Sequence, residues 1–187
     1  MINTIFKNIF FISSFLIYLT TYSLSEITSK AWSAECTEDK KICLAVIKSE
    51  IKNKDNKIQT LATAYIQIGS SKKTKMNLVN KDDQTYKMVE ENKSVPVLFV
   101  KLPLNADLKK TPAVLIDGKK LGDLSFSHCN QTDGCVSNII MNNDVIELFK
   151  KGKTMSVLMG IYGIAKNMNI EFPLKNFSKS YAQLIRK

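Results

Sequence analysis

The 187-residue sequence is poor in the residue types that most catalytic and nucleic-acid-binding sites need. His128 is the only histidine, and neither an HExxH nor a GxSxG sequence occurs, so the common zinc and serine hydrolases are not indicated. The seven glycines form no phosphate-binding run. Arg186 is the only arginine, although arginine is the side chain best suited to bidentate recognition of phosphate and guanine. We therefore expect no enzyme, no cofactor, no metal centre and no nucleic-acid partner.

The chain also lacks any feature that would divide it into several domains. No Pro/Gly/Ser-rich linker, change of composition or internal repeat interrupts residues 26–187. This length is sufficient for one domain with a hydrophobic core, and the apolar content of 44% is that of a globular chain. We expect a single domain over residues 26–187.

The first 25 residues have the features of a secretory signal peptide. Lys7 is the only charged residue among them, and an apolar run extends from Ile9 to Leu19. Ser23 and Ser25 suit the small-residue positions of a cleavage site that ends at Ser25. The run is shorter than the about 20 apolar residues that a membrane-spanning helix needs. The sequence predicts a cleaved signal peptide over 1–25, a periplasmic or secreted mature protein, and no transmembrane segment after cleavage.

Lysine dominates the charge of the chain. The formal net charge is +10, or +9 once Lys7 is removed with the signal peptide. The lysines occur as scattered pairs, mostly at predicted turns and element ends: Lys40–Lys41, Lys72–Lys73, Lys109–Lys110, Lys119–Lys120 and Lys150–Lys151. A solvated surface is the simplest interpretation of this pattern. The alternative is attraction to an anionic polymer or membrane of the envelope or of another cell.

The hydrophobic pattern predicts short β-strands separated by polar turns. Thr60–Ile68 alternates between its two faces, and Val95–Leu102 is almost continuously apolar. Asp117-Gly118 predicts a hairpin turn between Pro112–Ile116 and Leu121–Phe126. The other predicted strands are Ile42–Lys48, Cys135–Met141, Thr154–Ile161, Asn167–Phe172 and two weaker edge strands, Lys75–Val79 and Gln84–Val89.

Two short helices complete the prediction. Asn143-Asp144 is typical of a helix cap and Gly152 of a helix end, while Phe177–Ile185 carries apolar residues on one helical face. The fold class that follows is mainly β: an antiparallel β-sandwich or barrel-like domain with one or two short helices.

Four cysteines, Cys36, Cys43, Cys129 and Cys135, follow the predicted signal peptide. An exported chain enters an oxidising compartment, so two disulfides are expected. The gaps of six and five residues fit neither paired zinc ligands nor a redox CxxC motif. Three pairings are possible, and sequence alone does not choose among them. Turn geometry favours Cys36–Cys43 and Cys129–Cys135, because a polar reversal lies between the members of each pair.

The order of these motifs resembles the invasion-associated locus B family of exported alphaproteobacterial proteins. Trp32-x3-Cys36-x6-Cys43 is followed by Leu102-Pro103-Leu104, Asp117-Gly118, Phe126-x2-Cys129, Gly134-Cys135, Gly152 and Phe172-Pro173-Leu174. Asn105 and Asn176 stand where the family usually has glycine, and asparagine tolerates the left-handed backbone such turns use. The resemblance implies a β-rich exported protein without catalytic residues, in a family associated in pathogens with entry into host cells.

The leading hypothesis is therefore a non-catalytic envelope or host-surface binding factor that presents lysines to an anionic or protein partner. One alternative is a periplasmic accessory or structural factor that supports envelope integrity. Another is a hydrolase that uses Asp117, Asp123 or Asp144, although Asp117 and Asp144 are better explained as turn and cap residues.

Overall fold

A computed structural model of the chain describes residues 27–38, 42–52, 55–80 and 85–185, so the predicted signal peptide at 1–25 lies outside the described residues. Eleven strands and two helices are present in the described part of the chain. In order, they are β1 Ile27–Ser29, β2 Ser33–Cys36, β3 Cys43–Lys52, β4 Ile58–Asn80, β5 Thr85–Leu102, β6 Ala113–Ile116, β7 Lys119–Asp123, β8 Ser125–Asn130, β9 Gly134–Ile140, α1 Asn143–Lys151, β10 Thr154–Ile161, β11 Ile164–Pro173 and α2 Phe177–Leu184.

The strands form two antiparallel sheets. The seven-stranded sheet has the order β1-β3-β4-β5-β9-β8, with β2 also paired to β3, and the four-stranded sheet has the order β11-β10-β6-β7. These sheets and the two short helices confirm the predicted mainly β, antiparallel fold. Within the described residues, no helix is both long and apolar enough to cross a membrane.

Residues from both sheets and both helices share one hydrophobic core. Alternation along β4 buries Ala62, Ala64 and Ile66 on the inner face of the seven-stranded sheet, as the sequence pattern predicts. Phe177, at the start of α2, is fully buried between the rings of Trp32 and Tyr181, with centroid distances of 5.3 and 5.8 Å. Trp32 is thus a core residue that holds the N-terminal strands against α2.

The hairpin β4–β5 is much longer than the sequence pattern predicts. Lys75–Val79 and most of Gln84–Val89 are not separate edge strands but the outer parts of β4 and β5, which remain paired as far as Asn80↔Thr85 with one register shift after Leu78. β3 pairs with β4 only as far as Gln67, and β9 meets β5 only from Val97 onward. In the described structure, the parts of β4 and β5 beyond these residues form a two-stranded ribbon. The polar residues near Ser70 do not end the strand, because each strand satisfies the backbone of the other.

Two further boundaries differ from the predicted ones. The segment Leu121–Phe126 is divided at the buried Leu124, where the chain leaves the four-stranded sheet as β7 and enters the seven-stranded sheet as β8. The cap of α1 is Asn142 rather than the predicted Asn143-Asp144, since the Asn142 side chain accepts a hydrogen bond from Val145 N at 2.9 Å.

Candidate functional site

The turn between β6 and β7 forms part of the candidate site. Asp117 and Gly118 have φ values of +48° and +79°, as a two-residue type I′ hairpin turn requires. Ile116 and Lys119 are the last paired residues on either side. The predicted Asp117-Gly118 turn therefore places Lys119 and Lys120 at one end of the four-stranded sheet.

The carboxylate of Asp117 joins this turn to the chain entering β10. It accepts hydrogen bonds from the backbone N–H of Lys153, at 3.0 and 3.2 Å to its two oxygens, and from that of Thr154 at 2.9 Å. The backbone N–H of Asp117 in turn donates to the carbonyl of Thr154 at 2.9 Å. Asp117 therefore acts as a structural clamp between residues about 36 positions apart, which is more than its predicted role in the turn.

The end of α1 and the end of β11 meet at the same place. A Cβ on Gly152 would lie 2.6 Å from Ile116 Cγ2 and 3.0 Å from Leu174 Cδ1, so a larger residue would force these side chains to move. The N–H of Leu174 donates to the carbonyl of Lys153 at 2.8 Å. These contacts bring Lys150 and Lys151 of α1 and Lys175 after β11 to the turn that carries Lys119.

Six exposed lysines thus gather at one end of the four-stranded sheet, a group that we term the basic end: Lys119, Lys120, Lys150, Lys151, Lys153 and Lys175. Two of them have carboxylate partners, since Lys120 contacts Asp123 at 2.8 Å and Lys150 contacts Glu147 at 2.8 Å. The hydrogen bond from Lys150, followed by its positive charge, lowers the pKa of Glu147. Among the described residues, no carboxylate lies within ion-pair distance of the other four lysines. The lysine pairs that look scattered in the sequence are therefore brought together here by long-range backbone contacts.

A shallow depression on the sheet adjoins the basic end. It has a volume of about 770 Å³ and is lined by Leu115, Asp117, Gly118, Lys153, Thr154, Ser156, Leu158, Asn169 and Glu171. Its lining combines two carboxylates, those of Asp117 and Glu171, with Lys153 and with hydroxyl and amide groups. The depression is therefore polar and of mixed charge.

The four cysteines lie away from the basic end, in the seven-stranded sheet. The structure pairs Cys36 with Cys43 across β2 and β3, and Cys129 with Cys135 across β8 and β9, the pairing that turn geometry favours. The two members of each bridge are also register partners in their strands. Each bridge therefore closes a local hairpin.

A polar cluster surrounds the turn within the second disulfide loop. Asp133 contacts Lys101 Nζ at 2.7 Å and accepts a hydrogen bond from Asn130 Nδ2 at 3.1 Å. The hydrogen bond from Lys101, followed by that from Asn130, lowers the pKa of Asp133 below its ordinary value. His128 Nε2 lies 3.9 Å from the same carboxylate, and its side chain is 51% exposed. This arrangement orders the turn between β8 and β9.

The sequence-based hydrolase candidates do not come together. Asp117 binds two backbone N–H groups, Asp123 pairs with Lys120, and Asp144 lies in the first turn of α1. Among the described residues, no group of three or more His, Cys, Asp or Glu side chains is arranged to hold a metal ion. Each of the three aspartates thus has a local structural role.

A family model described as "Invasion associated locus B (IalB) protein" matches residues 32–185. The chain belongs to the invasion associated locus B family. The crystal structure of invasion associated protein B from Bartonella henselae has a similar fold, with a TM-score of 0.59 and 19% identity over 87% of this chain and 96% of that chain. A search of curated proteins finds no significant match. The sequence-based assignment to the IalB family is therefore confirmed, and IalB is not a known enzyme family.

The two positions where this IalB chain departs from the expected glycines behave differently. Asn176 has a φ of +65° at the start of α2, so it does take the left-handed conformation expected of it. Asn105 does not have a positive φ, and the turn there still forms. It lies instead in a turn closed by a 3.2 Å hydrogen bond from Ala106 N to Pro103 O, which does not require a left-handed residue.

Proposed function

We propose that this IalB protein is a non-catalytic, exported binding factor of the envelope or host-cell surface, and that its basic end contacts an anionic partner. A cleaved signal peptide over 1–25 and one domain over 26–187 belong to this proposal, as does a periplasmic or secreted location. The disulfides and the family membership support export. The gathering of six lysines at one end is the observation that carries the binding role.

The basic end differs from an ordinary solvated surface in two respects. Four of its lysines make no ion pair with a carboxylate among the described residues, although the carboxylates of Asp117, Asp123 and Glu147 lie in the same region. The lysine backbones are also held by the Asp117 hydrogen bonds and by the contact at Gly152, which keeps the charges near one another. Like charges held at one end of a sheet add up to a potential that attracts anions and accelerates association.

A variant with K119Q, K151Q and K153Q tests this role, because it removes three positive charges without touching the ion-paired Lys120 or Lys150. The matched control is K48Q/K52Q/K93Q, which removes three exposed lysines from the seven-stranded sheet. We expect the basic-end variant to elute from an immobilised sulfated polysaccharide at a clearly lower salt concentration than both wild type and control. In a pull-down from envelope or host-surface fractions at low salt, it should lose partners that the control keeps.

Equal loss in the two triple variants would show that total charge, and not the basic end, determines binding. Recovery of no partner at low salt would also contradict the proposal. A deletion strain with altered detergent sensitivity but unchanged adhesion and entry would instead favour the accessory or structural role.

A further inference from the structure

Three adjacent turns at the opposite end of the four-stranded sheet carry large apolar side chains at their corners. Leu104 lies in the turn closed from Ala106 N to Pro103 O, and Leu108 in the turn closed from Lys110 N to Asp107 O. Tyr162 lies in the hairpin turn between β10 and β11. Turn corners in proteins are usually polar, and none of these residues needs to be apolar for its turn to form.

These side chains are exposed to solvent. The exposed fractions are 53% for Leu104, 59% for Leu108 and 76% for Tyr162, and that of Ile164, next to the hairpin turn, is 52%. We term these four residues the apolar tip. They are four of the nine large apolar residues found exposed in the described part of the chain, so the exposure is concentrated and not evenly spread.

Backbone hydrogen bonds hold the three turns side by side. Tyr162 N donates to Asn105 O at 2.8 Å, and Asp107 N donates to Gly160 O at 2.9 Å. Ala106 and Ile161 form a β-bridge between these two bonds. The backbones of the three turns are therefore joined to one another, and the apolar side chains are not displayed on independent loops.

The charges around the apolar tip are predominantly positive. Residues 103–112 and 160–168 contain Lys109, Lys110 and Lys166, all exposed, and a single acidic residue, Asp107. The Asp107 side chain is only 15% exposed, accepts a hydrogen bond from Lys109 N at 3.1 Å and lies 3.6 Å from Lys110 Nζ. Apolar corners flanked by lysines thus face solvent with little exposed negative charge.

We propose that the apolar tip inserts into the interfacial region of an anionic lipid bilayer, with Lys109, Lys110 and Lys166 on the headgroups. Leucine and isoleucine suit the acyl boundary, and tyrosine is enriched where one part of a side chain is buried and its hydroxyl remains hydrated. The lysines complement anionic headgroups, as do basic segments next to other interfacial anchors.

The apolar tip and the basic end are at opposite ends of β10, roughly 24 Å apart for eight residues in a strand. A protein attached to a bilayer through the tip would therefore keep the basic end free for another partner. The inference rests on the apolar tip alone and does not depend on the role proposed for the basic end.

Sedimentation of the mature, oxidised protein with vesicles of mixed phosphatidylglycerol and phosphatidylcholine tests the proposal. We expect L108S/Y162S to lower the partition coefficient about tenfold or more relative to wild type. The control I140S/L148S removes two other exposed apolar residues, 61% and 47% exposed, and should bind like wild type. The basic-end variant K119Q/K151Q/K153Q should retain tip-dependent binding, which distinguishes failure of this inference from failure of the proposed function.

A Y162W variant gives an independent readout that does not require loss of binding. Its fluorescence should shift to shorter wavelength with anionic vesicles and much less with phosphatidylcholine alone, while the buried Trp32 provides a constant background. The proposal is overturned if wild type does not sediment with the anionic vesicles, if L108S/Y162S binds as well as wild type, or if the fluorescence of Y162W does not shift.

Discussion

Replacement of Asp117 by glycine isolates the contribution of its carboxylate to the fold. Glycine accepts the φ of +48° at this position, so the type I′ turn can still form. What is lost is the acceptor for the N–H groups of Lys153 and Thr154. The substitution therefore tests the clamp between the β6–β7 turn and β10 without adding strain.

The expected magnitude follows from the bonds that are lost. A hydrogen bond to a charged group contributes about 1.5–3 kcal/mol. Both hydrogen bonds to the Asp117 carboxylate are exposed to solvent, so the contribution of each should be close to the lower limit of this range or below it. We expect D117G to reduce the free energy of unfolding by about 2 kcal/mol, which lowers Tm by about 4–8 °C in a protein of this size. D117N keeps one acceptor oxygen and tolerates left-handed φ, so its loss should be about half as large.

Urea unfolding of the oxidised protein, followed by circular dichroism, measures both values. The midpoint should fall in the order wild type, D117N, D117G while the slope m stays constant, which shows that stability and not the unfolded state has changed. Placement of D117G within about 0.5 kcal/mol of wild type, the range of ordinary surface substitutions, would refute the clamp.

Three further predictions concern the second disulfide hairpin. G134A should destabilise the protein by about 3 kcal/mol or more in the same urea assay. The alanine Cβ would lie 2.3 Å from the Leu102 carbonyl oxygen, and the φ of this residue is +74°. A near-neutral result would contradict the described packing. The lowered pKa of Asp133 makes its contribution to stability complete above the unfolded-state pKa and lost as the pH falls through the folded-state pKa. The stability difference between wild type and D133N should therefore be present at neutral pH and should begin to shrink as the pH falls below about 4, the ordinary range of an aspartate. A difference that stays constant in acid would contradict this assignment. C129S/C135S should cost about 2.4 kcal/mol, the chain-entropy value for a loop of this length, and a reducing agent should destabilise this variant less than wild type.

Local chemistry explains why much of the fold could be predicted. Alternation along β4 identifies the face that carries Ala64 and Ile66, and Asp117-Gly118 specifies its own turn type. Each disulfide joins residues six or seven positions apart across one reversal. These features depend on residues that are close in sequence or on a two-residue period, so the amino-acid sequence is sufficient to predict them.

The predicted strand boundaries were wrong where a distant segment of the chain supplies the partner that stabilises a strand. The ribbon of β4 and β5 continues through polar residues because the two backbones satisfy each other, and no hydrophobic period marks such pairing. The division at Leu124 depends on two different sheets meeting there. The sequence identifies local hairpins, but it does not show how far two paired strands extend.

The sequence by itself determined the β-rich class, the positions of the turns, the family and an excess of lysine. Only the tertiary structure decided where that charge lies. Lys119, Lys153 and Lys175 belong to three segments that meet because Asp117 binds backbone N–H groups beyond α1 and because Gly152 allows close approach. The same holds for Leu104, Leu108 and Tyr162. These residues lie in three separate turns, and backbone hydrogen bonds join the turns to one another. Composition sets how many charged and apolar groups a surface has, whereas long-range backbone contacts set which of them act together.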